Sequence, residues 1–221
     1  MDPLIVKAPS EHTATIIFSH GLGDTAQGWL SAEQFSPHFP NLKWVLTNAP
    51  RREVTFAPGQ KMTSWFDVRG LGGQPRDEDT EGMLASVEVI KQLVAAEERA
   101  GIPSERVVVG GFSQGGVISL LTGLTLEKQL AGILCLSGYL GLTHDNKING
   151  LQQPISKTTP FFWGHGEADQ MIKFDKAQRG HQRLLELGLS KLEWHAYPRM
   201  PHTLGQQETL DVVRWLQTVL A

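Results

Sequence analysis

Cysteine is nearly absent from this chain. Its 221 residues include one, Cys135, so no intramolecular disulfide can form and a small disulfide-stapled secreted fold is excluded. Cys135 stands in the apolar run Gly132-Ile-Leu-Cys-Leu136, which reads as buried strand and makes it an inert core thiol of a reducing compartment. A surplus of positive charge is also missing: 20 Lys+Arg stand against 23 Asp+Glu, a formal net charge of -3. That balance supplies no phosphate-neutralising surface, and nucleic acid is not an expected partner. Long apolar runs are missing too. The longest weakly polar stretch, Gly132 to Leu142, contains three glycines and a serine and falls short of the roughly 20 residues that cross a bilayer. Met1-Asp-Pro-Leu4 carries no basic segment leading into an apolar one, so no secretory signal is expected and the protein reads as cytoplasmic.

The chain does hold short β-branched or aromatic runs, at Thr15–Phe18, Trp44–Leu46, Val107–Val109, Ile133–Leu136, Phe161–Trp163 and Leu192–Ala196. Each is too short for a helix and is bounded by Gly, Pro, Asn or Ser. Helix-length segments lie between several of them. From Thr80 to Ala100 the residues Leu84, Val87, Ile90 and Val94 form a stripe at helical spacing, and Gly101 and Pro103 then end it. Lys173 to Leu187 behaves similarly, as does Gln206 to Leu220 with Leu210, Val213 and Leu216 on one face. Uniformly apolar strands alternating with amphipathic helices predict an α/β fold, a mainly parallel sheet covered on both faces. No repeat, low-complexity tract or linker divides the sequence, so one domain over residues 1–221 is expected. Ala49 to Arg76 and Gly138 to Pro160 read as long irregular loops of the kind that bind or cover substrate.

The strongest local signal is Gly111-Phe-Ser113-Gln-Gly115, set between the strand-like Val107-Val-Val and the apolar Val117-Ile-Ser-Leu-Leu121. Strand, G-x-S-x-G and helix together are the nucleophile elbow, in which a tight turn holds the serine hydroxyl clear of the sheet. A Gly-rich turn alone gives the same five letters, but not the flanking elements. Ser113 needs a base, an orienting acid and an oxyanion hole. On such an elbow the chain order is Ser, then Asp or Glu, then His. Beyond the strand Phe161–Trp163 come Glu167 and Asp169, of which Asp169, with its short side chain deeper in the loop, is the preferred orienter. Among the later histidines, His165, His181 and His195 fall on or beside strands and helices, whereas His202 lies in the loop before the last helix, where a base could reach Ser113. The first strand ends in His20-Gly-Leu22-Gly-Asp24, so the Leu22 N–H pairs with that of Gln114 as oxyanion donors. The same turn matches a dinucleotide fingerprint, but the acid required about 20 residues on is replaced by Val45-Leu-Thr-Asn48.

These residues resemble the acyl-protein thioesterase and carboxylesterase family of α/β-hydrolases. The likeness runs through His20-Gly-Leu-Gly-Asp24, Asn48-Ala-Pro50, Ser64-Trp-Phe-Asp67, Gly111 to Gly116, Leu136-Ser-Gly138, His165-Gly to Asp169, and Met200-Pro-His202. Ser-Trp-Phe-Asp followed by Val68-Arg-Gly-Leu71 is much more specific than G-x-S-x-G. The resemblance implies a serine hydrolase, without a large cap domain, that removes palmitoyl groups from cysteine thioesters on proteins, or acts on lysophospholipids and small esters. It places the triad on Ser113, Asp169 and His202, the oxyanion donors on Leu22 and Gln114, and an acyl channel at Trp65, Phe66 and Leu71, three residues that ordinary core packing would equally account for. It implies no metal or organic cofactor and no obligate partner beyond acylated proteins or acyl esters as substrates, with a transient encounter at a membrane surface. Pro201 departs from the pattern, since the family commonly has Gly directly before its histidine. The acidic run Asp77-Glu-Asp79-Thr-Glu81 reads as helix-start acids that favour the macrodipole.

Overall fold

The structure, a computed structural model, describes residues 2–35, 37–69 and 78–221. A seven-stranded sheet runs through it. Its strands are β1 (Leu4–Val6), β2 (Ala14–Ser19), β3 (Leu42–Thr47), β6 (Val107–Phe112), β7 (Gly132–Leu136), β8 (Phe161–Gly166) and β9 (Leu192–Tyr197). Two others, β4 (Arg51–Val54) and β5 (Ala57–Thr63), pair as a separate antiparallel hairpin. The spatial order is β1-β3-β2-β6-β7-β8-β9, with every neighbouring pair parallel except β1 and β3. Among the described residues the α-helices are α1 (Thr80–Arg99), α2 (Gln114–Thr125), α3 (Phe174–Glu186) and α4 (Gln206–Val219).

Successive strand residues point to opposite faces, and each face has its own helices. Ile17, Val109, Ile133, Cys135, Phe161 and Trp163 pack with residues of α1, α2 and α3. Ile16, Phe18, Val108, Leu134 and Phe162 pack with Val212, Trp215 and Leu216 of α4. Helix α2 is buried along its whole length, which is why its sequence is apolar all round rather than striped. Helix α1 starts at Asp79, whose carboxylate accepts the Gly82 N–H at 3.0 Å. The helix-start acids, expected to favour the macrodipole, thus include one that also caps the helix.

The strand and helix positions match the periodicity closely, and the departures have physical causes. In α1 the buried stripe includes Met83 and Ser86, with Leu84 only partly buried. In α4 the expected face holds at Leu216, which is buried, and at Val213, which is half-buried against the core, but not at Leu210, which is 48 % exposed; the other buried positions are Glu208, Val212 and Trp215. A charged residue at the first position of that stripe, Glu208, shifted the apparent face by about a third of a turn. Strands β4 and β5 occupy part of the stretch read as an irregular loop, because their alternation is exposed and polar. Their hairpin is tied to the first strand-to-helix turn, with the Gly23 N–H donating to Thr63 O at 2.8 Å.

Strand order reverses between β2 and β6. The chain after β2 turns outward to β3, while the chain after β6 proceeds the other way through β7, β8 and β9. A crevice opens at the carboxyl ends of the strands at such a point, and the turns after β2 and β6 are the ones that carry Leu22 and Ser113. Among the described residues no helix is long and apolar enough to cross a membrane.

Candidate active site

Ser113 follows β6 directly and has φ 55° and ψ -116°, a left-handed backbone that a side-chain-bearing residue adopts only at a cost. The turn is this tight because the helix starts at the next residue. The Ser113 N–H donates to Leu136 O at 2.8 Å, and its carbonyl accepts from Val117 N–H at 3.1 Å. Two glycines permit the close approach. A Cβ on Gly115 would lie 1.9 Å from Ser19 O, and one on Gly111 would lie 2.3 Å from the Gly115 carbonyl carbon.

The acid and base arrive from two loops at the far side. Asp169 lies three residues beyond β8, and its Oδ1 accepts the N–H groups of Met171 at 2.8 Å and Ile172 at 2.9 Å. His202 lies in the loop between β9 and α4. Backbone bonds knit the two loops together, from Glu167 N–H to Tyr197 O and from Ala168 N–H to Met200 O. Asp169 Oδ2 therefore meets His202 Nδ1 at 2.6 Å, and His202 Nε2 meets Ser113 Oγ at 3.0 Å. Burial pushes the Asp169 carboxyl up, but the hydrogen bond from His202 and the two backbone amides outweigh it and hold the group below the ordinary carboxylate range. It is an anion that keeps the proton of the imidazole on Nδ1 and leaves Nε2 free to accept. Glu167, the alternative acid, is exposed. Pro201 precedes the histidine without preventing this contact.

A second histidine borders the same carboxylate. His165 is fully buried, its Nε2–H donates to Ile172 O at 2.9 Å, and Asp169 Oδ2 lies 3.5 Å away. Burial lowers its pKa, so it stays neutral. The ring of Phe112, the variable residue of the elbow motif, packs 4.8 Å from the His202 ring.

The turn after β2 lies alongside the serine. A Cβ on Gly21 would sit 3.2 Å from Ser113 Cβ, which puts Gly21 next to the nucleophile, while Gln114 begins α2 directly after it. The Gln114 side chain clamps the elbow to a distant segment: its Oε1 accepts the Trp65 N–H at 3.0 Å, and its Nε2–H donates to Phe66 O at 2.9 Å. Trp65 and Phe66 are core residues, each 1 % exposed. The Trp65 indole N–H donates to His20 O at 2.9 Å, so this side chain is committed to the turn. Leu71 lies outside the described residues. His20, His165 and the Gln114 amide escape a reading of the sequence because their roles come from contacts 29 to 50 residues away or across a loop. The one available signal was His20 standing directly before Gly21.

A serine on a nucleophile elbow, beside a first-loop turn and within reach of an acid-supported histidine on a mostly parallel sheet, defines an α/β-hydrolase. The family comparison narrows this: the chain matches the phospholipase/carboxylesterase family over residues 1–220 and belongs to it. It is a serine hydrolase of the thioesterase and carboxylesterase type. The chain is 40% identical to acyl-protein thioesterase 1 of Cryptococcus neoformans var. neoformans, over 96% of this chain and 95% of that one. It is 43% identical to acyl-protein thioesterase 1 of Mycosarcoma maydis, over 94% and 92% of the two chains. Among solved structures, SOBER1 of Arabidopsis thaliana superposes with a TM-score of 0.87 at 30% identity, covering 94% of this chain and 99% of that one.

Proposed function

We propose that this enzyme removes long acyl chains, palmitoyl in particular, from cysteine thioesters on proteins, by an acyl-enzyme mechanism on Ser113, His202 and Asp169. The observation that carries it is the unbroken relay from Ser113 Oγ through the His202 ring to Asp169. In this reading His202 takes the Ser113 proton as the hydroxyl attacks the thioester carbonyl, and Asp169 stabilises the imidazolium that forms. The N–H groups of Leu22 and Gln114 hold the tetrahedral oxyanion, each worth about 2.7–4 kcal/mol at such a site. The thiol leaves with the proton from His202, and water then repeats the sequence on the acyl-serine.

The names of the curated relatives support acylated proteins as the substrate class, and the family's description supports oxygen esters of lipids as the second reading. Trp65 and Phe66, being buried, back the acyl-binding wall from beneath. Residues 1–221 act as one catalytic domain that works from the cytoplasm and meets a membrane surface only in passing. The test is turnover of S-acyl peptides and matched oxygen esters over a series of chain lengths. Preference for long thioesters supports the proposal, and preference for short oxygen esters moves the enzyme to the general carboxylesterases. Hydrolysis retained by a folded Ser113→Ala protein refutes both.

A further inference from the structure

The His20 ring, 1 % exposed, sits between two backbone groups of opposite kind. Its Nδ1 lies 2.7 Å from Gly21 O, and its Nε2 lies 3.1 Å from the Ala49 N–H. A carbonyl oxygen only accepts and an amide only donates, so the ring is the neutral tautomer with its proton on Nδ1. Burial lowers its pKa. A second proton on Nε2 would also face the Ala49 N–H. The ring packs 5.4 Å from that of Trp65, whose indole N–H holds the carbonyl of His20 itself. Both peptide groups on either side of Gly21 are thereby gripped through their oxygens.

The consequence lies in the planarity of the peptide bond. The Gly21 carbonyl and the Leu22 N–H belong to one trans peptide unit and point in opposite directions from it. Whatever fixes the oxygen also fixes the hydrogen. Glycine at 21 offers no side chain to restrain that unit, and a peptide next to glycine flips readily unless something holds it. We infer that His20 is the positioning residue of the oxyanion hole: its Nδ1–H holds the Gly21 carbonyl and so aims the Leu22 N–H at the substrate oxygen. The inference rests on the assignment of Leu22 as an oxyanion donor. It gives the histidine of the His-Gly-Leu-Gly turn a task that its backbone alone does not perform, with Ala49 choosing the tautomer and Trp65 steadying the turn.

Two conservative variants separate this role from simple anchoring of Ala49. In His20→Asn the side-chain amide N–H is attached where Nδ1 was and still reaches Gly21 O, while the acceptor for Ala49 is lost. In His20→Gln the amide oxygen reaches the Nε2 position and still accepts from Ala49, while the donor to Gly21 is lost. Rates are read per active site, counted by end-point titration with a fluorophosphonate, on a long-chain thioester. The expected result is that His20→Gln loses about 10²-fold in kcat, the order of one oxyanion donor, with KM within about threefold, while His20→Asn stays within about tenfold of the parent. Affinity for a trifluoromethyl ketone, which forms a tetrahedral adduct on the serine, falls in step with kcat. Equal losses in the two variants, or a more active His20→Gln, overturn the inference. So does a ¹⁵N spectrum of the parent protein in which the His20 proton resides on Nε2, a measurement that needs no variant to fold. Failure of the hydrolase assignment looks different: there Ser113→Ala keeps its turnover.

Discussion

Glu208 is a carboxyl placed where α4 needs an apolar side chain, and its replacement by glutamine should make the protein more stable in a pH-dependent way. The residue is 0 % exposed, and it presses against β8 so closely that a Cβ on Gly164 would lie 2.2 Å from its Oε1. That oxygen has no hydrogen-bond partner among the described residues, and Oε2 receives only a long bond from the Gly205 N–H at 3.4 Å. Burial first, and the nearby Asp211 carboxylate second, push the Glu208 carboxyl up to about 7, against a partly compensating bond from Gly205. Tyr197 and Cys135 are the other titratable groups that feel it; burial raises both and keeps them neutral, and neither has a cationic form that could serve as counter-charge. The sign follows from linkage. Below about pH 4.5 the group is protonated in both folded and unfolded chains and contributes nothing. As pH rises to 7 the unfolded chain ionises first, so stability declines, and above 7 the full penalty of about 3 kcal/mol applies. Glu208→Gln keeps the shape and the acceptor for Gly205 but cannot ionise. Urea unfolding, followed by tryptophan fluorescence from pH 4.5 to 8.5, should show a variant-minus-parent difference that starts near its pH 4.5 value and grows by about 3 kcal/mol, which is roughly 1 M in midpoint. A difference that stays constant across that range refutes the reasoning.

Three further outcomes are expected. Asp169→Asn should lose about 10³–10⁴-fold in kcat with KM little changed, because an amide N–H facing His202 favours the tautomer with its proton on Nε2, which cannot take one from Ser113; steady-state thioester kinetics check this. Gly115→Ala, whose Cβ would lie 1.9 Å from the backbone oxygen of Ser19, should cost about 3 kcal/mol in urea unfolding, since neither backbone can give way. Gln114→Ala strands the Trp65 N–H and Phe66 O that its side chain now satisfies, and should lower stability by about 2–4 kcal/mol. The Gln114 backbone N–H remains in that variant, so activity per folded molecule should fall less than in Ser113→Ala, as thermal melts paired with initial rates would report.

The residues read from the sequence and the residues found in the site overlap unevenly. Ser113 was legible because a strand, two glycines and a helix within fifteen residues impose one local geometry through sterics alone. Asp169 and His202 were legible through chain order, since successive parallel strands deliver their following loops to the same edge of the sheet. The face of α4 was read correctly at Val213 and Leu216 and missed at its first turn, because the pattern assumes that a glutamate points to water, and Glu208 does not. For Trp65 and Phe66 the motif left acyl channel and ordinary core both open, and their burial comes from the tertiary structure, since a tryptophan's position in sequence does not say which way its indole turns.

By itself, then, the sequence determined the fold class, the order of the elements and the elbow, all of which depend on backbone sterics, hydrophobic period and short-range turns. Only the tertiary structure decided that Asp169 Oδ2 meets His202 Nδ1 at 2.6 Å, that the Trp65 indole holds the turn bearing Leu22, and that the His20 ring lies between Gly21 O and the Ala49 N–H. Those are hydrogen bonds between groups distant in the chain. Their partners are chosen by strand register and loop packing, and no local pattern of residues encodes a direction in space.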